Sequence, residues 1–196
     1  MPVHGEIHTI SGGFSGGGCT ASQRKKYARA VMMIEVQEAD QAFDIDLIFT
    51  KADLWDVVPH DNDPVVVSVV TVRRKVHCVL VDQGSSTDVM FWSTFNKLQL
   101  SPNQLRRYTG CLYGFARDHV EVRGHIDLRT TFTDGVASRI ENIRHLVVNT
   151  HSTYNILLGR PALNRLRTIA STRHMKMKLP PLRGRSDHHQ IRPERG

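Results

Sequence analysis

An aspartate at the end of an aliphatic run is the residue of this sequence whose position most suggests chemistry. Asp82 directly follows the apolar residues 79–81 and precedes Gly84 and two serines. A carboxylate placed there lies at the mouth of a fold, where an ionised and unpaired group is costly to desolvate. Two interpretations follow. Asp82 is a turn residue with an Asx-type hydrogen bond, or it is coupled to a second titrating group.

Other chemical motifs are weak. The chain has eleven histidines but no HExxH motif and no paired Cys/His spacing, so no metal site is predicted. Ser85 and Ser86 do not lie in a G-x-S-x-G elbow, which disfavours a serine nucleophile. The glycines at 12–18 lack the GK[ST] of a phosphate-binding loop. We therefore expect neither a metal nor a cofactor.

The residues around Asp82 predict a strand hairpin followed by a short helix. Residues 65–72 and 76–81 are β-branched and nearly continuous apolar runs, typical of strands buried on both faces, and residues 73–75 form a charged turn between them. Cys78, inside the second run, is expected to be a small buried side chain. Apolar residues recur at helical spacing from Phe91 to Leu98.

The rest of the chain adds short strands and one further helix. Residues 112–132 predict a hairpin turning at 116–119, and strands are predicted at 143–148 and 156–158, a helix from Pro161, and an edge strand at 175–179. Residues 43–49 alternate strictly between apolar and polar, which also predicts a strand. Many short strands with few helices indicate a mostly β domain.

Composition divides the 196 residues into three parts. Residues 1–42 are predicted to be a flexible, Gly-rich leader, residues 43–181 the folded domain, and residues 182–196 a disordered basic tail. No apolar run is long enough to span a membrane, and the first residues lack the pattern of a secretory signal. A soluble, intracellular protein without membrane contact is expected.

The net charge of +7 raises the question of a nucleic-acid partner. Lysines and arginines cluster at 24–29, at 73–75 and from residue 160 onward, without interleaved aromatic residues and without a known binding motif. Solvated surface charge is the favoured interpretation, and weak, non-specific binding of nucleic acid is the alternative.

Taken in order, these segments resemble the retropepsins, the retroviral-type aspartic proteases, and among them those of plant Ty3/gypsy-type retrotransposon polyproteins. Residues 79–86 resemble the apolar-apolar-Asp-Thr/Ser-Gly loop, with residues 88–91 following as in that family. Residues 112–124 resemble the flap segment. Residues 154–164, about 75 positions after the Asp loop, resemble the apolar-apolar-Gly loop with its helix. The resemblance covers residues 48–181.

The resemblance implies a small retropepsin-like β-barrel with one or two short helices, acting as an aspartic endopeptidase on a retrotransposon polyprotein, in the cytoplasm or in virus-like particles. In that family two aspartates share a proton and activate a water. This chain has one such motif, since Asp134 and Gly135 lack the preceding aliphatic strand. A homodimer in which Asp82 meets its copy is therefore implied.

The resemblance also implies roles for individual residues. Asp82 is the catalytic half of the pair, and Ser85 is expected to donate its hydroxyl to that carboxylate. The remaining site residues are the active-site loop, the substrate-covering flap and a structural loop under the site: Gln83, Gly84 and Ser86; Leu112, Tyr113, Gly114, Phe115 and Ala116; Leu157, Leu158 and Gly159. Gln83 departs from the family, where most members carry Thr or Ser. A catalytically inactive relic that serves as a dimerisation or binding module is the alternative.

Overall fold

A computed structural model describes residues 46–55, 57–58, 60–114, 118–134 and 138–180, together with the backbone of residues 189–191. The predicted leader at 1–42, the flap residues Phe115 and Ala116, and most of the predicted tail lie outside the described residues. None of the helices in the described part has the length and apolarity needed to cross a membrane.

Strands dominate the described part of the chain. The strands are β1 Val66–Thr71, β2 Arg74–Val81, β3 Asp88–Phe91, β4 Leu112–Tyr113, β5 His119–Val120, β6 Val122–Thr133, β7 Ser138–Val148, β8 Ile156–Leu158, β9 Ile169–Ser171, β10 Lys176–Leu179 and β11 His189–Ile191. The α-helices are α1 Trp92–Lys97 and α2 Arg160–Leu166. Short 3₁₀ turns occupy Lys51–Leu54 and Pro102–Gln104.

Six of these strands close into a barrel in the order β1-β2-β8-β3-β7-β6. The β2/β8 and β3/β7 pairs are parallel, and the other described pairs within the barrel are antiparallel. The predicted mostly β class with a small barrel and few short helices is confirmed. Because β8 inserts between β2 and β3, the loop that joins those two strands must pass over the end of β8.

The predicted hairpin of β1 and β2 is confirmed, but its burial differs from the prediction. Val72 and Arg73 form the turn with φ angles of 50° and 58°, the left-handed conformation that suits a two-residue hairpin. Only alternate residues of β1 are fully buried, because one face of the strand lines the core and the other lies on the barrel surface. Cys78, expected to be buried, is exposed. A register shift opposite Val67 and a φ of 54° at Cys78 turn it outward.

Both predicted helices close the barrel core. Phe95 and Leu98 of the α1 region and Leu163 and Leu166 of the α2 region belong to one cluster of buried apolar side chains with the strands. Before the 3₁₀ turn that follows α1, the Ser101 hydroxyl accepts the Asn103 N–H, a capping bond that its position before a proline predicts. The helices therefore seal the core without contributing to the sheet.

The small sheet β9-β10-β11 differs most from the prediction. β10 was expected to be an edge strand, yet it lies between β9 and β11, and β11 comes from the segment predicted as tail. Residues 46–50 were expected to form part of a strand, yet they are irregular and contact β10 instead. Hydrogen bonds hold this part of the chain against β10: the Lys178 ammonium donates to the Ile48 carbonyl and, just beyond the segment, to the Asp53 carboxylate, each at 2.8 Å.

The ion pair between Asp53 and Lys178 is largely buried, with side chains 11% and 10% exposed. Burial raises the pKa of Asp53, but the hydrogen bonds from Lys178 and Thr50 and the charge of Lys178 outweigh it and lower the pKa to about 2. Since the native pKa is depressed, the stabilisation is present above the ordinary value of 3.8 and is lost as the pH falls towards 2.

Asp53→Asn is expected to lower the free energy of unfolding at pH 7 by about 3 kcal/mol, because the Lys178 ammonium stays buried without its anionic partner. Urea unfolding measures the change. The exposed Asp61→Asn is the matched control, and Asp53→Asn combined with Lys178→Met should recover much of the loss. Equal effects of Asp53→Asn and Asp61→Asn would show that the pair contributes nothing.

Candidate active site

Asp82 lies one residue past the end of β2 and continues the pairing of that strand. Its backbone N–H donates to the Leu158 carbonyl at 2.9 Å, extending the ladder beyond the Val81–Leu158 pair. Side chains alternate along a strand, so Asp82 projects to the same side as Leu80, away from the core side of Val81. The carboxylate is therefore held at the barrel surface by main-chain pairing.

One oxygen of the Asp82 carboxylate is satisfied within the loop. The Gly84 N–H donates to Oδ1 at 2.9 Å, which is the Asx-type bond considered from the sequence. Among the described residues, Oδ2 accepts no hydrogen bond. The residue is half-buried. The arrangement leaves one carboxylate oxygen available to a water or to a second acid group.

The rest of the loop keeps its side chains away from that carboxylate. A Cβ at Gly84 would lie 3.1 Å from Asp82 Oδ1, so glycine keeps this space open. The expectation that Ser85 donates to Asp82 is wrong, because its single hydroxyl proton goes to the Thr87 carbonyl at 2.8 Å. The exposed Gln83 amide donates to the Ala170 carbonyl of β9 at 3.3 Å. Ser86 is half-buried.

The start of α2 forms the floor of this loop. The Arg160 N–H donates to the Ser85 carbonyl at 2.9 Å. A Cβ at Gly159 would lie 2.9 Å from the Ser85 carbonyl oxygen and would overlap that of Thr87, so only glycine allows the two segments to touch. Leu158 is fully buried beneath them. The structure thus brings residues 82–87 and 158–160 together, as the sequence motifs suggested.

Leu157 lies on the opposite face of β8 from Leu158 and is not beneath the loop. It pairs with Leu80 of β2 and with Val89 of β3, and Val89 pairs in turn with Leu146 of β7. These four side chains form an apolar row across four strands on the side to which Asp82 projects. Leu80 and Leu157 are half-exposed. Val89 and Leu146 are buried, so within this row Leu80 and Leu157 offer the apolar contacts beside the carboxylate.

The flap segment forms a separate hairpin. β4 and β5 pair through Leu112 with Val120 and Tyr113 with His119, and the Gly114 N–H donates to the Asp118 carbonyl at 2.8 Å. Tyr113 is 47% exposed, so the hairpin presents an aromatic side chain to solvent. The predicted hairpin is confirmed for residues 112–120, but the rest of its second arm, expected to reach residue 132, forms β6 and pairs with β7. The turn, with Phe115 and Ala116, lies outside the described residues.

Asp88 is a buried carboxylate whose contacts the sequence does not reveal. It is only 3% exposed, and Oδ1 accepts the Gly159 N–H at 2.8 Å. Burial raises the pKa of Asp88 to about 6, although the Gly159 and Ala162 N–H groups and the Arg165 charge oppose the rise. In the sequence, Asp88 is noted only as one of the residues that follow the Asp82 loop as they do in the retropepsins. The available signal was a carboxylate opening an apolar strand, which needs a partner.

His145 is the register partner of Asp88 across β3 and β7. Its side chain is completely buried, and neither ring nitrogen has a hydrogen-bond partner among the described residues. Burial lowers the pKa of His145 to about 4, with the charge of Asp127 opposing the shift. The imidazole is therefore neutral in the native protein at neutral pH, at the cost of two unsatisfied polar atoms.

Comparison with known proteins gives structural similarity alone. No protein-family model matches the sequence, and no curated protein matches it. One similar solved structure is the retroviral protease-like domain of Ddi1 from Leishmania major, with a TM-score of 0.49, 13% sequence identity, and coverage of 69% of this chain and 96% of that one. EIAV protease complexed with the inhibitor HBY-793 has a TM-score of 0.44 and 22% identity, and the match covers 59% of this chain and 99% of that one. A retropepsin-like aspartic protease from Rickettsia conorii has a TM-score of 0.40 and 17% identity, and the match covers 64% of this chain and 80% of that one.

These neighbours are retropepsin-like aspartic proteases. With TM-scores below 0.5 and identities below 25%, the similarity concerns the fold alone.

His145→Leu is expected to raise the free energy of unfolding by about 1 kcal/mol at pH 7, because it removes two unsatisfied buried atoms. The gain should grow as the pH falls from 6.5 to 4, by up to about 3 kcal/mol. Over that range the unfolded histidine takes up a proton that the native one refuses, so wild type loses stability on acidification.

Urea unfolding at several pH values measures this difference between His145→Leu and wild type. Asp88 contributes a pH dependence of stability of opposite sign, since its raised pKa favours the native state as the pH falls through 6. Wild type and His145→Leu both contain Asp88, so this contribution cancels in their difference. The exposed His151→Leu is the control. A difference that does not depend on pH would contradict the buried, neutral assignment of His145.

Proposed function

We propose that this chain is one subunit of a homodimeric aspartic endopeptidase of the retropepsin type. The observation that carries the proposal is the Asp82 carboxylate, with Oδ1 held by the Gly84 N–H at 2.9 Å and Oδ2 open among the described residues. It lies on a loop fixed from below by residues 158–160. Such a group is half of an acid–base pair, and the apolar row beside it suits a peptide substrate.

We infer that the second carboxylate comes from another chain. Within the described residues, Asp88 is buried against Gly159, and Asp127 forms a two-point ion pair with Arg144 at 2.8 and 3.2 Å. Neither is available to face Asp82. In the proposed dimer, Asp82 meets Asp82 of the partner subunit across a two-fold axis, and an isolated subunit is inactive.

The proposed mechanism is general acid–base hydrolysis. Two adjacent carboxylates cannot both be ionised at low cost, so the pair shares one proton. The ionised member takes a proton from a bound water, whose oxygen attacks the peptide carbonyl carbon. The protonated member donates its proton to the carbonyl oxygen, which gives a gem-diol intermediate. The member that took the water proton passes it to the leaving nitrogen as the C–N bond breaks, and a gem-diol hydroxyl returns its proton to the other carboxylate. The titration belongs to the pair rather than to either residue.

The proposed substrate is an extended, apolar-flanked segment of a polyprotein. Half-exposed Leu80 and Leu157 offer apolar contacts for alternate substrate side chains. The β4–β5 hairpin supplies backbone groups for strand-type hydrogen bonds and is proposed to close over the peptide. The order of the motifs supports a retrotransposon polyprotein of the plant Ty3/gypsy type as the source of that segment.

A non-catalytic dimerisation or binding module is the second candidate, and Gln83 is the observation that favours it. The Gln83 side chain is tied to Ala170 of its own chain instead of carrying the small hydroxyl most of the family has there. A larger amide below the paired aspartates would change their spacing. The two candidates differ in catalysis: the endopeptidase cleaves peptides, and the binding module does not.

The test is cleavage of an apolar peptide library at pH about 4 to 6, where a shared-proton pair is active. We expect activity that rises steeply with protein concentration around the dimer dissociation constant and is inhibited by a statine peptide. Asp82→Asn should lower it at least about 1000-fold, while Asp63→Asn, at a surface turn, leaves it unchanged. Cleavage that survives Asp82→Asn would exclude the mechanism, and a folded dimer without cleavage would favour the binding module.

Gln83→Thr is expected to raise activity or dimer stability, because a short hydroxyl side chain can hydrogen-bond beneath the aspartate pair without displacing it. Sedimentation equilibrium gives the dimer dissociation constant, and peptide cleavage gives kcat. Gln104→Thr, at the exposed 3₁₀ turn Pro102–Gln104 that follows α1, is the matched control. If kcat is unchanged or lower in Gln83→Thr and the dimer dissociation constant is unchanged or higher, glutamine is not a compromise at this position.

A further inference from the structure

One peptide group links the buried Asp88 to the backbone of Asp82. The Leu158 carbonyl accepts the Asp82 N–H at 2.9 Å, and the Gly159 N–H donates to Asp88 Oδ1 at 2.8 Å. The Leu158 carbonyl and the Gly159 N–H belong to the same planar peptide unit. The path from the Asp88 carboxylate to the Asp82 backbone is therefore two hydrogen bonds across one rigid plane.

A charge at Asp88 acts along this path. Hydrogen bonds in series polarise one another, so a carboxylate that accepts from the N–H strengthens the carbonyl of the same unit as an acceptor. Since Asp88 is 3% exposed, water does not screen the effect. The peptide plane also has little freedom, because Gly159 is packed against the carbonyls of Ser85 and Thr87.

Asp88 also replaces the missing cap of α2. The N-cap residue of this helix is Gly159, which has no side chain to hold the first-turn N–H groups. Asp88, from β3, accepts the Gly159 N–H, and the nearby Ala162 N–H helps to hold its pKa down. The carboxylate thus fixes the start of α2, whose Arg160 N–H holds the Ser85 carbonyl of the Asp82 loop.

We propose that Asp88 is a positioning residue for the reaction: through the Leu158–Gly159 peptide group it sets the position and hydrogen bonding of the Asp82 backbone. The inference rests on the proposed function for its catalytic consequence, but the coupling between the two residues is a property of the fold. Asp88 does not touch the substrate or the reacting atoms.

Several ionisable groups surround Asp88. His145 is its register partner on β7, and Arg165 approaches from α2. A cavity of about 190 Å³ adjoins the carboxylate, and Tyr108 and Arg144 are among the residues that line it. The pKa of His145 is about 4, which is separated from the value of about 6 for Asp88.

The coupling is tested by NMR in an Asp82→Asn background, so that residue 82 has no carboxylate of its own to titrate. The backbone amide signal of residue 82 is followed from pH 4 to 8. We expect a shift with a midpoint near 6 that is absent when Asp88→Asn is added and retained when Asp63→Asn is added instead. A signal that does not move near pH 6 overturns the proposal.

Kinetics tests the consequence for catalysis. Asp88→Asn keeps an acceptor oxygen for Gly159 but removes the charge, and Asp88→Ala removes both. We expect kcat to fall about 5-fold and about 50-fold respectively, with KM within about 2-fold of wild type, because misplacement of a catalytic group affects the chemical step. The pH profile of kcat should also lose its inflection near 6 in Asp88→Asn.

Thermal melting identifies a variant that fails to fold, and Asp88→Asn, the more conservative change, then gives the kinetic result. Unchanged kcat in both variants, or a rise of KM alone, overturns the positioning role. If wild type cleaves no peptide, the proposed function is what fails, and the amide titration by itself decides whether Asp88 controls the Asp82 backbone.

Discussion

The geometry of the Asp82 loop depends on the close contact between that loop and the Leu158–Gly159 peptide group. Strand β8 runs between β2 and β3, so the chain leaving β2 must cross its end. Main-chain groups of residues 82, 85 and 89–91 meet those of residues 155–160, and the absence of a side chain at Gly159 permits the approach. Backbone pairing, rather than side-chain packing, therefore positions the carboxylate.

Three buried polar groups show different solutions to the cost of desolvation. Lys178 is paired with Asp53 and a carbonyl, Asp88 is held by main-chain N–H groups, and His145 stays neutral without a partner. The first two solutions tie separate segments together, because the partner comes from elsewhere in the chain. A segment before the barrel is joined to β10, and α2 is joined to β3. Polar burial here links segments that are far apart in the sequence.

Much of this arrangement can be predicted from the sequence, because periodicity and turn residues are local signals. The strand runs of β1, β2, β7 and β8 and the helices after Phe91 and Gly159 were predictable in this way. The central position of β10 was not, since the alternation of Met177 and Leu179 with lysines is equally typical of an edge. What buries Lys176 and Lys178 is a segment more than 120 residues away, and no local pattern encodes that contact. The acceptor of the Ser85 hydroxyl is not encoded locally either: the Thr87 carbonyl and the Asp82 carboxylate compete for one proton, and only the folded geometry selects Thr87.

Asp82 differs from the other two carboxylates near the barrel in having one oxygen without a protein partner among the described residues. Asp88 and Asp127 have their carboxylates occupied by N–H groups or by an arginine, whereas Asp82 Oδ2 has no such partner among the described residues. An oxygen that only water satisfies adds nothing to the stability of the isolated chain. The exposed parts of the Leu80 and Leu157 side chains beside it add nothing to that stability either. Both features would be stabilised together if a second copy and an extended peptide covered this face. A binding module would need the apolar row, but it would have no need to hold a carboxylate with one oxygen fixed and the other left open.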